Sequence, residues 1–265
     1  MLLGFLGRTL YYLCKKKGKY MNQTQTVGRA LDILFALAEE DRLLTVKEIS
    51  EKVSIPTSTV YRLIKTLEIN DIISREPNGG IGLGFRLFTL AQKLNNKMEN
   101  DLLESSLPIL RQLTEKLHET SFIALKKGDV GVTVQSVEVD RLIRFVTSNG
   151  KKHPLTEGAT GKAILAFEKK EIIHKVLTTI PETEQTSFSA ELHKIRENGY
   201  VKTIGEVDED TFAVAAPIFN MSNEVIASIN IAGPKMRFDQ VDMEQVVGEI
   251  KRASQRLTAS LRVIK

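Results

Sequence analysis

The residues best placed to do chemistry in this chain are hydroxyls followed by cations: Thr57, Ser58, Thr59, Tyr61, Arg62 and Lys65, in a stretch with no acid between Lys52 and Glu68. Arginine can grip a guanine edge through two parallel hydrogen bonds, and serine or threonine can serve base edges or phosphates. A face without carboxylates also approaches a polyanion without repulsion. The chemistry on offer is the reading of duplex DNA. Val60, Leu63, Ile64 and Leu67 recur at three- and four-residue spacing, which predicts a helix with these apolar residues on one side and the hydroxyls and cations on the other.

Such a helix needs bracing. Val46, Ile49 and Val53 give a preceding helix its own apolar stripe, and Thr45 with Glu48 three residues on is a capping-box pattern that starts it. Pro56 cannot continue that helix but suits the first position of the next, so Ser54-Ile55-Pro56 reads as a turn with Ile55 tucked between the two. Two short helices joined this way make a helix-turn-helix. A supporting helix, Gly28 to Ala38, is expected to pack through Leu31, Leu34 and Leu37. Behind the second helix, Ile72 to Glu76 and Ile81 to Phe85 flank the turn Pro77-Asn78-Gly79-Gly80, a hairpin that would lay Arg75 against phosphate. A helical hairpin with a solvated polar face has the same periodicity; the trailing β-ribbon favours the winged DNA-binding form.

A second suggestive stretch is His153-Pro154-Leu155-Thr156-Glu157-Gly158-Ala159-Thr160-Gly161-Lys162-Ala163-Ile164-Leu165-Ala166. Small residues entering a helix leave backbone N–H groups open to a carboxylate or phosphate, although close helix–sheet packing also demands glycine and alanine. It is not a nucleotide P-loop: Gly158 to Gly161 is two residues too short, and Ala163 stands where serine or threonine would hold magnesium. Gly80, Gly82 and Gly84 lack dinucleotide spacing. His118, His153, His174 and His193 are far apart and read as surface or packing residues, and the single cysteine, Cys14, excludes an internal disulfide and agrees with a reducing cytoplasm. The acidic run Glu206, Asp208, Glu209 and Asp210 reads as a solvated turn. Paired catalytic carboxylates and a nucleophile–histidine arrangement cannot be named, so an enzyme carrying a winged helix is the weaker alternative, as is a winged helix used only for protein contact.

The 265 residues allow two ordinary domains. The net charge of +4 is no argument for DNA: residues 1–20 hold Arg8, Lys15, Lys16, Lys17 and Lys19, and without these five, 32 basic residues face 33 acidic ones. Only local placement supports DNA binding. Residues 1–20 are too short for a membrane span and have charges after the apolar run rather than before it, so they read as an extension without a folded role, expected to be disordered, and not as an anchor. Arg86 to Glu119 reads helical, with a break expected at Pro108 that ends a linker helix and opens a second domain. There, strands are expected at Ser121–Leu125, Val130–Val139, Leu142–Val146, Ala213–Phe219 and Val225–Ala232. Helices are expected at Gly161–Phe167, Glu171–Leu177, Ala190–Asn198 and from Asp239 to about Val263. Antiparallel hairpins with helices around them make an α+β domain.

Taken together, these regions resemble the IclR family of bacterial transcriptional regulators over nearly all of residues 24–264. The matching pieces are TSTVYRLIKTLE, IGLGFRLFTLA, HPLTEGATGKAILA, ENGY with Gly205-Glu206 following, and VAAPIFNMSNEVIASINIAGP, in the family's order. The resemblance implies an α+β protein: after the extension, a winged helix-turn-helix domain (21–85), a linker helix (86–105) and a GAF-like effector-binding domain (106–265). It further implies a sequence-specific regulator, by expectation a cytoplasmic repressor, needing no cofactor and acting as a homodimer or homotetramer on a double-stranded DNA operator. Its operator affinity would be controlled by a small organic acid. Carried over residue by residue, the family's pocket falls on Leu142, Phe145, Ala159, Thr160, Ala215 and Asn230, with Glu206 and Asp210 at its mouth. The chain departs from the family's pattern at Asn230-Ile231-Ala232, where many relatives have a serine pair. It departs again at Thr203, where an acid is frequent, and at Asp210, where glycine is common. These departures bear on which effector binds, not on the class of site.

Overall fold

A computed structural model describes residues 24–240 and 242–262; the expected N-terminal extension lies outside them. The chain divides into two units, Met1–Asn95 and Asn96–Lys265.

The first unit holds α1 (Gln25–Ala38), α2 (Val46–Val53), α3 (Thr57–Ile69) and a two-stranded ribbon, β1 (Ile73–Arg75) with β2 (Ile81–Leu83). The capping box forms in full: the Thr45 amide donates to Glu48 Oε2 at 2.7 Å and the Glu48 amide to Thr45 Oγ1 at 3.3 Å. Ser54 ends α2 in the left-handed region, and Ile55 is buried beneath the turn. Pro56 stands one residue earlier than expected, as the N-cap of α3, its carbonyl accepting from the Thr59 and Val60 amides at 2.9 and 3.0 Å. Ile33, Leu37, Leu44, Ile49, Val60, Ile64, Ile73 and Ile81 form the core. Leu31, expected among them, is exposed together with Val27 and Phe35. α1 carries two apolar stripes, and only the one through Ile33 and Leu37 meets α2 and α3, a choice that periodicity cannot make. Phe85 likewise leaves the ribbon and begins the next helix.

That helix, α4 (Phe85–Leu117), runs uninterrupted through Pro108, so the expected break does not occur. Pro108 faces solvent, whereas Leu102, Ile109, Leu110, Leu113 and Leu117 are buried on the other side. Burying five such side chains, at roughly 1.5–3 kcal/mol each, outweighs the roughly 3 kcal/mol that an interior proline costs.

The second unit is built on one antiparallel sheet. Its strands are β3 (Thr120–Lys127), β4 (Val130–Val137), β5 (Lys152–Pro154), β6 (Val201–Ile204), β7 (Thr211–Phe219) and β8 (Val225–Pro234), in the order β5-β4-β3-β8-β7-β6. Between them lie α5 (Gly158–Leu165), α6 (Lys170–Leu177) and α7 (Glu182–Asn198); a 3-10 turn (Lys235–Gln240) precedes α8 (Met243–Arg262). The strand expected at Leu142–Val146 is absent. This segment's carbonyls are taken by side chains instead of a ladder: Thr120 Oγ1 donates to Phe145 O at 2.7 Å, and Arg237, itself paired with the buried Glu119 carboxylate, donates to Ile143 O at 3.0 Å. β6 and the polar first turns of α7 were not legible in the sequence.

Residues paired directly across an antiparallel ladder share a face. Ile123, Leu125, Val214, Ile218, Ile229 and Ile231 form the outer face, in one apolar core with α4 and α8. On the inner face, Phe122, Asn230, Ala215 and Val201 lie in register across four strands, with Ala215 and Val201 packed with α5 and α7.

Candidate DNA-reading face and effector site

On α3, Val60 and Ile64 are fully buried while Thr57, Ser58, Tyr61, Arg62 and Lys65 are exposed and Thr59 is half-buried. Neither Arg62 nor Lys65 has an ion-pair partner among the described residues. Thr57 Oγ1 lies 3.1 Å from Ser50 Oγ, a local contact at the start of the helix. Arg75 projects from β1 with its guanidinium 5.9 Å from the Tyr61 ring centroid, which brings the ribbon's cation to the same face. Its pairing with Glu68, at 3.6 Å and solvent-exposed, is a weak competitor for a phosphate.

The inner face of the second unit is divided. Under α7 it is apolar, but toward β4 and β5 it gathers buried polar side chains: Thr133, Thr147, His153, Thr160, Ser228 and Asn230. Several satisfy one another. Thr133 Oγ1 sits 2.8 Å from His153 Nε2 and 3.4 Å from Thr147 Oγ1, and Ser228 Oγ donates to Thr160 O at 3.3 Å. The rings of Phe145 and His153 stack on Phe122 at 5.9 and 5.8 Å. Burial, helped by the Lys151 charge, pushes the His153 pKa down to about 4, so the imidazole is neutral at physiological pH. Asn230 Nδ2 donates to Phe122 O, Ser228 O and Ser228 Oγ, yet its Oδ1 has no partner among the described residues. A buried acceptor left unmatched costs on the order of 1–3 kcal/mol. Among the described residues the other such atom, Glu168 Oε1, lies against the Lys126 ammonium and is matched by charge.

The glycine-rich entry to α5 has two physical causes. A Cβ on Gly161 would sit 1.9 Å from Pro154 O, so the helix packs directly on β5 backbone; Gly158, at φ +65°, would meet Val207 at 2.7 Å. The close-packing explanation therefore accounts for the small residues. The anion at this helix N-terminus is the chain's own: the Gly158 amide donates to Glu206 Oε2 at 3.1 Å. Lys162 Nζ lies 2.8 Å from both Glu206 Oε2 and Glu191 Oε1. Burial works against the Lys162 ammonium, but the two carboxylates outweigh it and hold its pKa above the ordinary lysine value. Glu206 thus bonds into the structure, although the rest of its acidic run is solvated.

Of the residues carried over for the effector, Phe145, Ala159, Thr160, Ala215 and Asn230 come together on the inner face or the helix over it, and Glu206 stands at that helix's start. Leu142 is fully exposed on the irregular segment, and Asp210 lies exposed in the 205–210 turn with its carbonyl bonded to the Lys235 amide at 2.7 Å. The sequence reading missed Thr133, Thr147, Ser228 and Phe122. Ser228 was signalled by a polar residue alternating with isoleucines in β8. Thr133 was not, because alternation in β4 also fits a solvated strand. A surface hollow at the ribbon's root, lined by Asp71, Ser74, Arg86 and Thr89 among others, is open and holds no unmatched buried atom. The described residues contain no cluster able to hold a metal ion and no helix long and apolar enough to cross a membrane.

Comparison with known proteins covers both units. The family model for the IclR helix-turn-helix domain matches residues 26–77, and that for the bacterial transcriptional regulator IclR C-terminal domain matches residues 96–259. The HTH-type transcriptional regulator KdgR of Escherichia coli is 28% identical over 92% of this chain and 95% of its own length. KipR of Bacillus subtilis is 25% identical over 91% and 98%. Among solved structures, an IclR-family regulator from Rhodococcus sp. superposes with a TM-score of 0.62 at 24% identity, covering 92% of this chain and 96% of that one. An IclR homologue from Microbacterium hydrocarbonoxydans, complexed with 4-hydroxybenzoate, gives 0.56 at 21% identity, covering 90% and 99%.

Proposed function

Because the chain belongs to the IclR family of bacterial transcriptional regulators, we propose that its operator affinity is set by a small organic acid bound on the inner face of the second unit. It is a DNA-binding transcriptional regulator with a C-terminal effector domain, and not an enzyme. The observation that carries the proposal is the contrast between the two faces of one sheet. The outer face is sealed with isoleucine, valine and leucine, while half of the inner face buries hydroxyls, an imidazole and an amide. Buried polar groups that serve only packing are normally matched in full, and this group is not. The complex of one homologue with 4-hydroxybenzoate, a carboxylic acid, is in keeping with that ligand class.

The DNA contacts fall to Thr57, Ser58, Thr59, Tyr61, Arg62 and Lys65 on α3 and Arg75 on the ribbon. The working form is a homodimer or homotetramer in the cytoplasm. The exposed Val27, Leu31 and Phe35 stripe and the exposed Phe85 and Phe88 support an apolar contact between copies, and paired recognition helices would meet half-sites about 34 Å apart or multiples of that. Effector and operator are then linked: an acid that favours one arrangement by roughly 1–3 kcal/mol changes operator affinity about 5- to 150-fold. Repression relieved by the acid is the direction we favour.

The test joins both sites. A thermal-shift panel of small carboxylic acids, 4-hydroxybenzoate among them, finds ligands that raise the melting temperature by mass action. Operator duplexes selected from a random pool are then titrated by fluorescence anisotropy with and without the hit. Thr160→Trp should fill the inner face and remove the shift. Acids that stabilise the protein yet leave operator affinity unchanged would overturn the regulatory reading.

A further inference from the structure

Asn230 is fully buried in β8, in the middle of the sheet between β3 and β7. Its Nδ2 is engaged by three acceptors, two of them carbonyl oxygens, Phe122 O at 3.3 Å and Ser228 O at 3.1 Å. That fixes the amide's orientation, because turning it over would press Oδ1 against both carbonyls. Oδ1 is therefore an acceptor turned away from them, on the face that α5 covers. Among the described residues no side chain donates to it. Phe122 and Ala215, its direct neighbours in the ladder, have no side-chain donor. Ser228 Oγ gives its one hydrogen to Thr160 O, and Thr133, Thr147 and His153 are bonded among themselves.

We infer that the missing donor belongs to the ligand, and that this protein senses a hydroxylated carboxylic acid whose O–H is accepted by Asn230 Oδ1. The inference rests on the reading of the inner face as the effector site and specifies the ligand. A keto oxygen or a carboxylate oxygen placed at Oδ1 would set acceptor against acceptor, so keto acids are rejected there and the carboxylate lies elsewhere in the site. A hydrogen in place of the hydroxyl leaves Oδ1 as unmatched as it is now.

The test is calorimetry on the full-length protein with matched acids: 2- and 3-hydroxybutyrate against butyrate and 2-ketobutyrate, and mandelate against phenylacetate and phenylglyoxylate. In at least one set the hydroxylated acid should bind roughly 10-fold or more tightly than both partners. Asn230→Leu should erase that preference, so that the hydroxylated acid binds no more tightly than its unsubstituted partner. If Asn230→Leu does not fold, Asn230→Ser serves: its hydroxyl can also donate, so discrimination against the keto acid should fall selectively. Acids that bind with no preference for the hydroxyl, or a preference that survives both substitutions, overturn the inference and leave the acid-sensing reading intact. If no acid in the panel binds, both fall.

Discussion

The neutrality of His153 gives a prediction whose size follows from its surroundings. Its pKa is lowered from 6.5 to about 4, first by burial among Phe122, Thr133 and Thr147 and then by the Lys151 charge. Below pH 6.5 the unfolded chain protonates this imidazole and the folded chain does not. Its contribution to stability is therefore fully present above 6.5 and is lost as pH falls toward 4. Between pH 7.5 and 5 the loss integrates to about 2 kcal/mol. The window is clean, because the shifted carboxylates, Glu40, Glu48, Glu224 and Glu249, are all held below the ordinary carboxylate range and lose their contributions only at lower pH. Urea unfolding at pH 7.5, 6 and 5, followed by far-ultraviolet circular dichroism, should show this loss in the native protein and not in His153→Gln. An NMR titration should find the imidazole neutral down to about pH 4. Parallel pH profiles for the two proteins, or an imidazole resonance titrating near 6.5, would refute the reasoning and reopen the inner face to a charged histidine.

Two further outcomes test the two units separately. Arg62→Ala removes an exposed guanidinium from α3 that has no ion-pair partner among the described residues, so it should leave thermal stability and acid binding unchanged while weakening operator binding by roughly 1–3 kcal/mol per recognition helix, about 5- to 150-fold. If the contact is to phosphate and not to a base, the loss will be uniform across sequences and the salt slope will drop by about one; equal operator binding by the variant would take Arg62 off the reading surface. Gly161→Ala places a methyl 1.9 Å from Pro154 O and 2.8 Å from Leu155 Cα, so it should destabilise the second unit by about 1–3 kcal/mol, seen as a lowered melting temperature; no change would mean that α5 does not press on β5.

The first unit was the more legible because its signals are local. Thr45 and Glu48 cap a helix within three residues of each other, Pro56 and Ile55 mark a turn, and Val60 and Ile64 declare which side of α3 is buried. Where two patterns competed, sequence could not arbitrate. Leu31 and Ile33 lie on apolar stripes of α1 that differ only in what they meet. Pro108 looked like a stop because its cost is local, while the stripe from Leu102 to Leu117 that outweighs it is set by packing with a sheet that the chain forms later. Leu142–Val146 has strand-like composition, but its carbonyls are claimed by Thr120 and Arg237, one of them far along the chain. The inner face was legible only in part for the same reason: Asn230 came from the resemblance, while Thr133, Thr147 and His153 become one group only when β4, β5 and the irregular segment meet.

The unmatched acceptor also bears on how a small ligand could move a regulator. Coupling between effector and operator requires that the ligand bind one arrangement of the protein better than another by as much as it shifts their balance. Uniform contacts, such as apolar burial against Phe122, hold a ligand without that difference. On the proposed reading, a ligand hydroxyl bonded to Asn230 Oδ1 would relieve the roughly 1–3 kcal/mol cost of that unmatched acceptor in the arrangement in which Ser228 bonds Thr160 O. An arrangement with α5 withdrawn would let water reach Oδ1 and cancel most of the gain. That difference would match the roughly 1–3 kcal/mol of a typical coupling free energy, so under this reading one hydroxyl would supply a switch of the size proposed.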